Sequence, residues 1–124
     1  MAGYVAQALN TLSSPVTATA GTTTDIWEID ISNGYLGADL FVDIATNASA
    51  TSGCEVYLVK KTDTTVNGGI EATTKYSPRS VNANSSAVLH FSLEAGVYQL
   101  KVKNNDATYD ATVNQVILKP YVWA

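Results

Sequence analysis

FSLEAGVYQLKVKNND, residues 91–106, decides how this chain is read. Phe91-Ser92-Leu93 alternates apolar and polar, the stretch 97–102 does so again, and Glu94-Ala95-Gly96 punctuates the two. Short alternating runs joined by a glycine-bearing break read as two strands of a β-hairpin. The same grammar extends in both directions. Toward the C-terminus, a polar loop at 104–110 leads into a closing strand over 111–122. Toward the N-terminus, 87–93 is the first arm of the hairpin, and 70–86 is rich in Thr, Ser and Asn and holds Pro78. That segment reads as a long loop with at most one weak strand.

Further upstream, 55–61 (EVYLVKK) is a strand, followed by the turn Asn67-Gly68-Gly69. Ala38, Leu40, Val42 and Ile44 alternate with Asp39, Phe41 and Asp43, and Asn33-Gly34 is a turn pair before them. In 26–31, Trp27, Ile29 and Ile31 share one face, which points Trp27 into a core, while Ile26, Glu28 and Asp30 share the other. Seven or eight short strands with polar turns, and no strand–helix alternation, predict an all-β chain. The expected architecture is an antiparallel β-sandwich or jelly roll over residues 25–124 as a single domain.

Residues 1–24 stand apart. Val5, Leu9 and Leu12 have the spacing of a short helical face, but Pro15 and the Thr-rich stretch after it make a poor helix. The segment is expected to be an N-terminal arm or edge strand. Its apolar residues Tyr4, Val5, Leu9 and Leu12, with Tyr121 and Trp123 at the other end, form the candidate interface, because apolar termini are either tied down or used for docking. A C-terminal strand docked on its own sheet is the competing reading for Trp123.

Composition narrows the function. The 124 residues are 46% hydrophobic but only 15% charged, and fifteen are Thr, a residue that favours pleated surfaces. Residues 1–59 carry six acids and no Lys or Arg, while the remainder carries all seven bases. The net charge of −4 argues against nucleic acid as a partner. No run reaches the roughly 20 apolar residues of a membrane-spanning helix, so no membrane partner is expected. The N-terminus lacks the positive region and apolar core of an export signal, and synthesis in a cytoplasm is the expectation.

Candidate chemistry is thin. His90, the one histidine, alternates away from Leu89 and Phe91 and faces solvent or a partner. There is no Gly-x-Ser-x-Gly elbow, and catalysis by His90 is not expected. Asp25, Glu28, Asp30, Asp39 and Asp43 lie close in sequence, but strand spacing fits solvated acids better than a hydrolytic pair. Asn104, Asn105, Asp106 and Asp110 could offer oxygens to calcium, yet an Asx-rich turn explains them more simply. Cys54, the single cysteine, reads as a small buried thiol. No catalytic, cofactor or metal residue is assigned, and no cofactor is expected. Seven Tyr and two Trp against two Phe suit half-exposed interfaces or sugar platforms.

The phrase Leu93-x-x-Gly96-x-Tyr98-x-Leu100-x-Val102 resembles the penultimate hairpin of jelly-roll and carbohydrate-binding modules, with 25–29 and 55–58 in a similar order to their strands. A free-standing, Thr- and Ala-rich sandwich without an export signal also looks like a bacteriophage virion protein, most similar in style to capsid decoration (cement) proteins. That resemblance implies a non-enzymatic virion component that stabilises the outer capsid surface. It implies the major capsid protein or other virion subunits as partners, and a homo-oligomer. The alternatives it leaves are a glycan-binding module and a small tail or head–tail connector component.

Overall fold

Ala38, Leu40, Val42 and Ile44 are buried in the strand that carries them, and Asp39, Phe41 and Asp43 between them face outward, so the period-2 pattern is realised residue by residue. The structure is a computed structural model that describes residues 4–6, 10–12, 14–32, 34–61 and 74–123. Its strands are β1 (Tyr4–Ala6), β2 (Asn10–Leu12), β3 (Val16–Ala18), β4 (Thr23–Asp30), β5 (Gly37–Ala45), β6 (Cys54–Lys61), β7 (Tyr76–Val81), β8 (Ser86–Glu94), β9 (Val97–Asn104) and β10 (Ala111–Trp123).

Two antiparallel sheets result. In sheet A, β10 lies between β5 and the three short strands β1, β2 and β3, and β5 in turn pairs with β8. Sheet B has the order β4-β9-β6-β7. β1–β3 occupy one edge of β10 in succession, so the described residues fill eight strand positions. Numbered along the chain, the first position pairs with the eighth, the second with the seventh, the third with the sixth and the fourth with the fifth. This is a long antiparallel ribbon folded over on itself, the topology of a jelly roll. The all-β sandwich expected from the sequence is the observed fold.

The core lies between the sheets. Leu40, Val42, Ile44, Phe91 and Val116 of sheet A meet Ile29, Val56, Leu58, Leu100 and Val102 of sheet B. Each fully buried aliphatic or aromatic side chain contributes roughly 1.5–3 kcal/mol of transfer free energy. Tyr98 is buried with them and donates its hydroxyl to the Glu94 carbonyl at 2.9 Å. Burial pushes that phenol's pKa up to about 12. Cys54 joins the core at 3% exposure, as expected of a small buried thiol.

One reading of the opening stretch is corrected. Its two strands exist, but they are not a hairpin: β8 belongs to sheet A and β9 to sheet B. Gly96 has φ +156°, and its backbone is bonded in both directions to Ile31, which follows β4. The short connection therefore carries the chain across the core instead of folding it back in the same sheet. Local alternation cannot register that difference, because both strands keep their period either way.

The first segment contributes three short strands, β1, β2 and β3, among its described residues. Val5 lies in β1 and Leu12 in β2, not on one face of a helix, and Leu9 falls outside the described residues. Pro120 marks where the segment's pairing passes from β2 to β1. The Leu36 amide donates to the Tyr121 carbonyl at 2.9 Å, so alternation turns the Pro120 nitrogen away from β5 and toward this edge. Leu118 pairs with Asn10 and Tyr121 with Ala6, leaving Lys119 and Pro120 between them. The missing N–H thus costs β5 no bond.

Candidate functional site

The outer faces of the two sheets differ. In sheet B, register places Tyr57, Val59, Val97 and Gln99 on the outside, yet all four are buried. In sheet A the outer face is open. It is built in rows across β8, β5 and β10: Val88–Asp43–Gln115, His90–Phe41–Ile117, Ser92–Asp39–Lys119 and Glu94–Gly37–Tyr121. These residues lie together because they alternate with the buried set of the same strands.

Phe41, Val88 and Ile117 supply an apolar centre, and Val88 is 66% exposed. With Asp43 and Gln115 they line a shallow depression of about 140 Å³. The Phe41 and His90 rings stack, with centroids 4.8 Å apart and planes inclined by 17°. His90 Nε2 lies 2.8 Å from Asp39 Oδ1, and Tyr121 donates its hydroxyl to Asp39 Oδ2. The Tyr121 bond, and then that of His90, hold the Asp39 carboxyl below its usual range against partial desolvation. The same contact raises the Tyr121 phenol.

An apolar centre with a rim of Asp39, Asp43, His90, Gln115 and Lys119 has the anatomy of a protein contact surface. It is poorly suited to catalysis. His90 is paired to a carboxylate on an open sheet face that cannot exclude water. The five carboxylates clustered in sequence are dispersed by the fold. Asp25 pairs with Lys101 and Glu28 with Lys61, each at 2.7 Å, Asp30 accepts from Ser32, and Asp39 and Asp43 lie on the other sheet. Lys60 and Lys75 likewise pair with Glu94 and Glu55.

The oxygen cluster at 104–110 is engaged by backbone amides. Asp106 accepts from the N–H groups of Thr51, Ser52, Thr108 and Tyr109, Asn104 donates to the carbonyls of Ala18 and Tyr109, and Asp110 accepts from Ala20. These bonds fulfil the Asx-turn reading. Among the described residues, no group of three or more His, Cys, Asp or Glu is placed to hold a metal ion.

The fold brings some of the candidate interface residues together. Tyr4 pairs with Trp123, Val5 with Val122 and Ala6 with Tyr121, so both ends of the chain meet at one end of β10. Leu12 packs against the core, and Leu9 lies outside the described residues. Tyr121 has its side chain on the open face. Sequence reasoning missed Phe41, Val88 and Ile117. Their signal was present: each is an apolar residue on the polar phase of its strand.

No protein-family model matches the chain, and no curated protein matches it. Among solved structures, it is similar to a protein of Bacillus endospore appendages, described as a family of disulfide-linked pili. The TM-score is 0.53 at 17% identity, covering 97% of this chain and 90% of that one. A chain of infectious bursal disease virus, Gx strain, aligns with TM-score 0.45 at 10% identity, over 93% of this chain and 37% of that one. At such identities the first likeness speaks to the fold alone.

Proposed function

We propose that this protein is a non-enzymatic structural subunit that joins other protein chains through the outer side of sheet A. The asymmetry between the sheets carries the reading: sheet B buries the outer residues Tyr57, Val59, Val97 and Gln99 of its two central strands, while sheet A presents Phe41, Val88 and Ile117 within a polar rim. Within this reading, the finer assignment is decoration of a bacteriophage capsid, with the major capsid protein as partner and the virion as location. A subunit that binds only the assembled shell stabilises it by mass action.

A second reading, a subunit that polymerises with its own kind, is favoured by the likeness to the endospore-appendage protein over nearly the full length of both chains. Those pili are disulfide-linked, whereas the one thiol of this chain is buried. Polymerisation here would therefore rest on non-covalent contacts. A glycan-binding role is the alternative outside the structural class, with Phe41 as its platform.

Sedimentation separates the three. The purified protein is mixed with phage capsids stripped of accessory proteins, concentrated alone, and applied to a glycan array. Capsid-bound protein supports decoration, and self-built particles support polymerisation. A monomer that binds only immobilised sugars would overturn the structural reading.

A further inference from the structure

A sheet edge exposes unpaired N–H and C=O groups that template pairing with another chain unless something blocks it. Three of the four edges here are guarded. β7 is six residues long, with Pro78, left-handed Ser77 and a register shift against β6. β4 carries Asp25, Glu28 and Asp30, and its register against β9 shifts at Ile26. The edge formed by β1–β3 comes in three-residue pieces, with Pro15 between β2 and β3.

β8 is guarded only toward its end, by Glu94 and by Tyr76 and Arg79 of β7, which reach the Ser92 carbonyl and the Phe91 ring. It is nine residues long, without Pro, Lys or Arg, and it pairs with β5 in unshifted register from Ser86 to Glu94. The direction of its free groups follows from one contact. The Ser92 carbonyl accepts from the Tyr76 hydroxyl of β7 at 3.2 Å, so it points away from β5. Alternation gives the N–H and C=O groups of Val88 and His90 the same direction. Among the described residues, no backbone group bonds to them from that side.

We propose that β8 is a dimerisation edge, pairing antiparallel with β8 of a second copy about a two-fold axis beside Leu89. The inference rests on sheet A being the assembly side. In a population of identical chains, an open edge needs another open edge, and β8 is the least guarded among those described. Its complement is therefore itself, which makes the contact isologous. The Ser92 carbonyl already accepts from Tyr76, and an axis beside Leu89 rather than at the strand's midpoint leaves it at the outermost pair, opposite Ser86 of the other copy. Val88 of each copy then lies opposite His90 of the other, and Leu89 opposite Leu89. Val88 and His90 exchange main-chain bonds in both directions, the two His90 rings stay apart, and the exposed Val88 side chains are covered. The two open faces become one continuous surface.

The test is sedimentation equilibrium of the whole chain together with two variants. The wild type should show a reversible dimer of twice 13.1 kDa. Val88→Lys places a charge on the open edge at an exposed position and should weaken dimerisation at least about tenfold, with an unchanged melting temperature at concentrations where both proteins are monomeric. Leu89→Cys should form a cross-linked dimer on mild oxidation, because Cα atoms of a non-hydrogen-bonded antiparallel pair lie about 4.5 Å apart, within disulfide reach. A wild type monomeric at every concentration, a Val88→Lys dimer of undiminished affinity, or open-ended filaments in place of dimers would each overturn the proposal. A monomer that still binds particles would overturn the dimer and leave the assembly reading standing. A dimer that joins no particle would do the reverse.

Discussion

Tyr121 reaches diagonally across two strands to donate its hydroxyl to Asp39. Its direct partner in β5 is Gly37, whose missing side chain leaves the ring free to lean toward Asp39. The contact fastens the C-terminal strand to the middle of the open face. Tyr121→Phe should therefore let the Asp39 carboxyl rise toward its ordinary value, read by an NMR titration of that carboxyl. Asp39's folded pKa is depressed, so its stabilising contribution is present above the ordinary carboxylate range and lost as pH falls through the folded value. The variant should melt about 2–4 °C lower at neutral pH, with the difference shrinking in acid.

Asp106 organises the opposite end of the sandwich. Only 3% exposed, it accepts four backbone amides with its two oxygens, and those bonds hold its carboxyl far below the usual range. Asp106→Asn replaces one acceptor oxygen with a donor that faces amides. The melting temperature should fall by on the order of 10 °C. The pH dependence has a definite sign: a depressed carboxyl stabilises fully above about pH 4 and loses that contribution below it. Thermal melts from pH 7 to pH 2 should show the wild type losing stability below about pH 4, and the variant losing less.

Strand positions were legible in the sequence because alternation and burial share one cause. Ala38, Leu40, Val42 and Ile44 are read from the sequence as one face and are buried as one face. Sheet membership was not legible. The break at Glu94-Ala95-Gly96 looks like a hairpin turn, yet the Gly96 backbone pairs with Ile31, which is distant in sequence. The open face was half visible. Phe41, Val88 and Ile117 sit on the polar phase of their strands, but nothing local says that Val59 and Val97, in the equivalent situation on sheet B, are buried. The closeness of the two chain ends also escaped notice, because it arises from pairing between the first and last strands.

The first strands should matter for stability as well as for contact. Removing residues 1–14 takes away the partners of Val116, Ile117 and Leu118 and lifts Leu12 from the core. The truncated chain should remain β-rich by circular dichroism and melt at least about 5 °C lower. It should also self-associate non-specifically in light scattering, because β10 would become a second open edge.

Cys54 should be chemically silent in the folded protein. Burial and the nearby Asp106 carboxylate push its thiol upward, disfavouring the reactive thiolate. Labelling with a thiol reagent at pH 8 should run at least about a hundredfold slower than in denaturant, because it waits for the sandwich to open. Rapid labelling without loss of the β spectrum would show that β6 opens locally at its first residue.

The central claim, that this chain works by joining other protein through sheet A, is tested most directly by hydrogen exchange. Amide exchange would be followed by mass spectrometry for the free protein and for the assembled form, whether dimer, filament or capsid-bound. The account predicts new protection concentrated in β8, above all at Val88 and His90, with β4 and β7 unchanged. Protection appearing along β4 or β7 while β8 exchanges as in the free protein would contradict it.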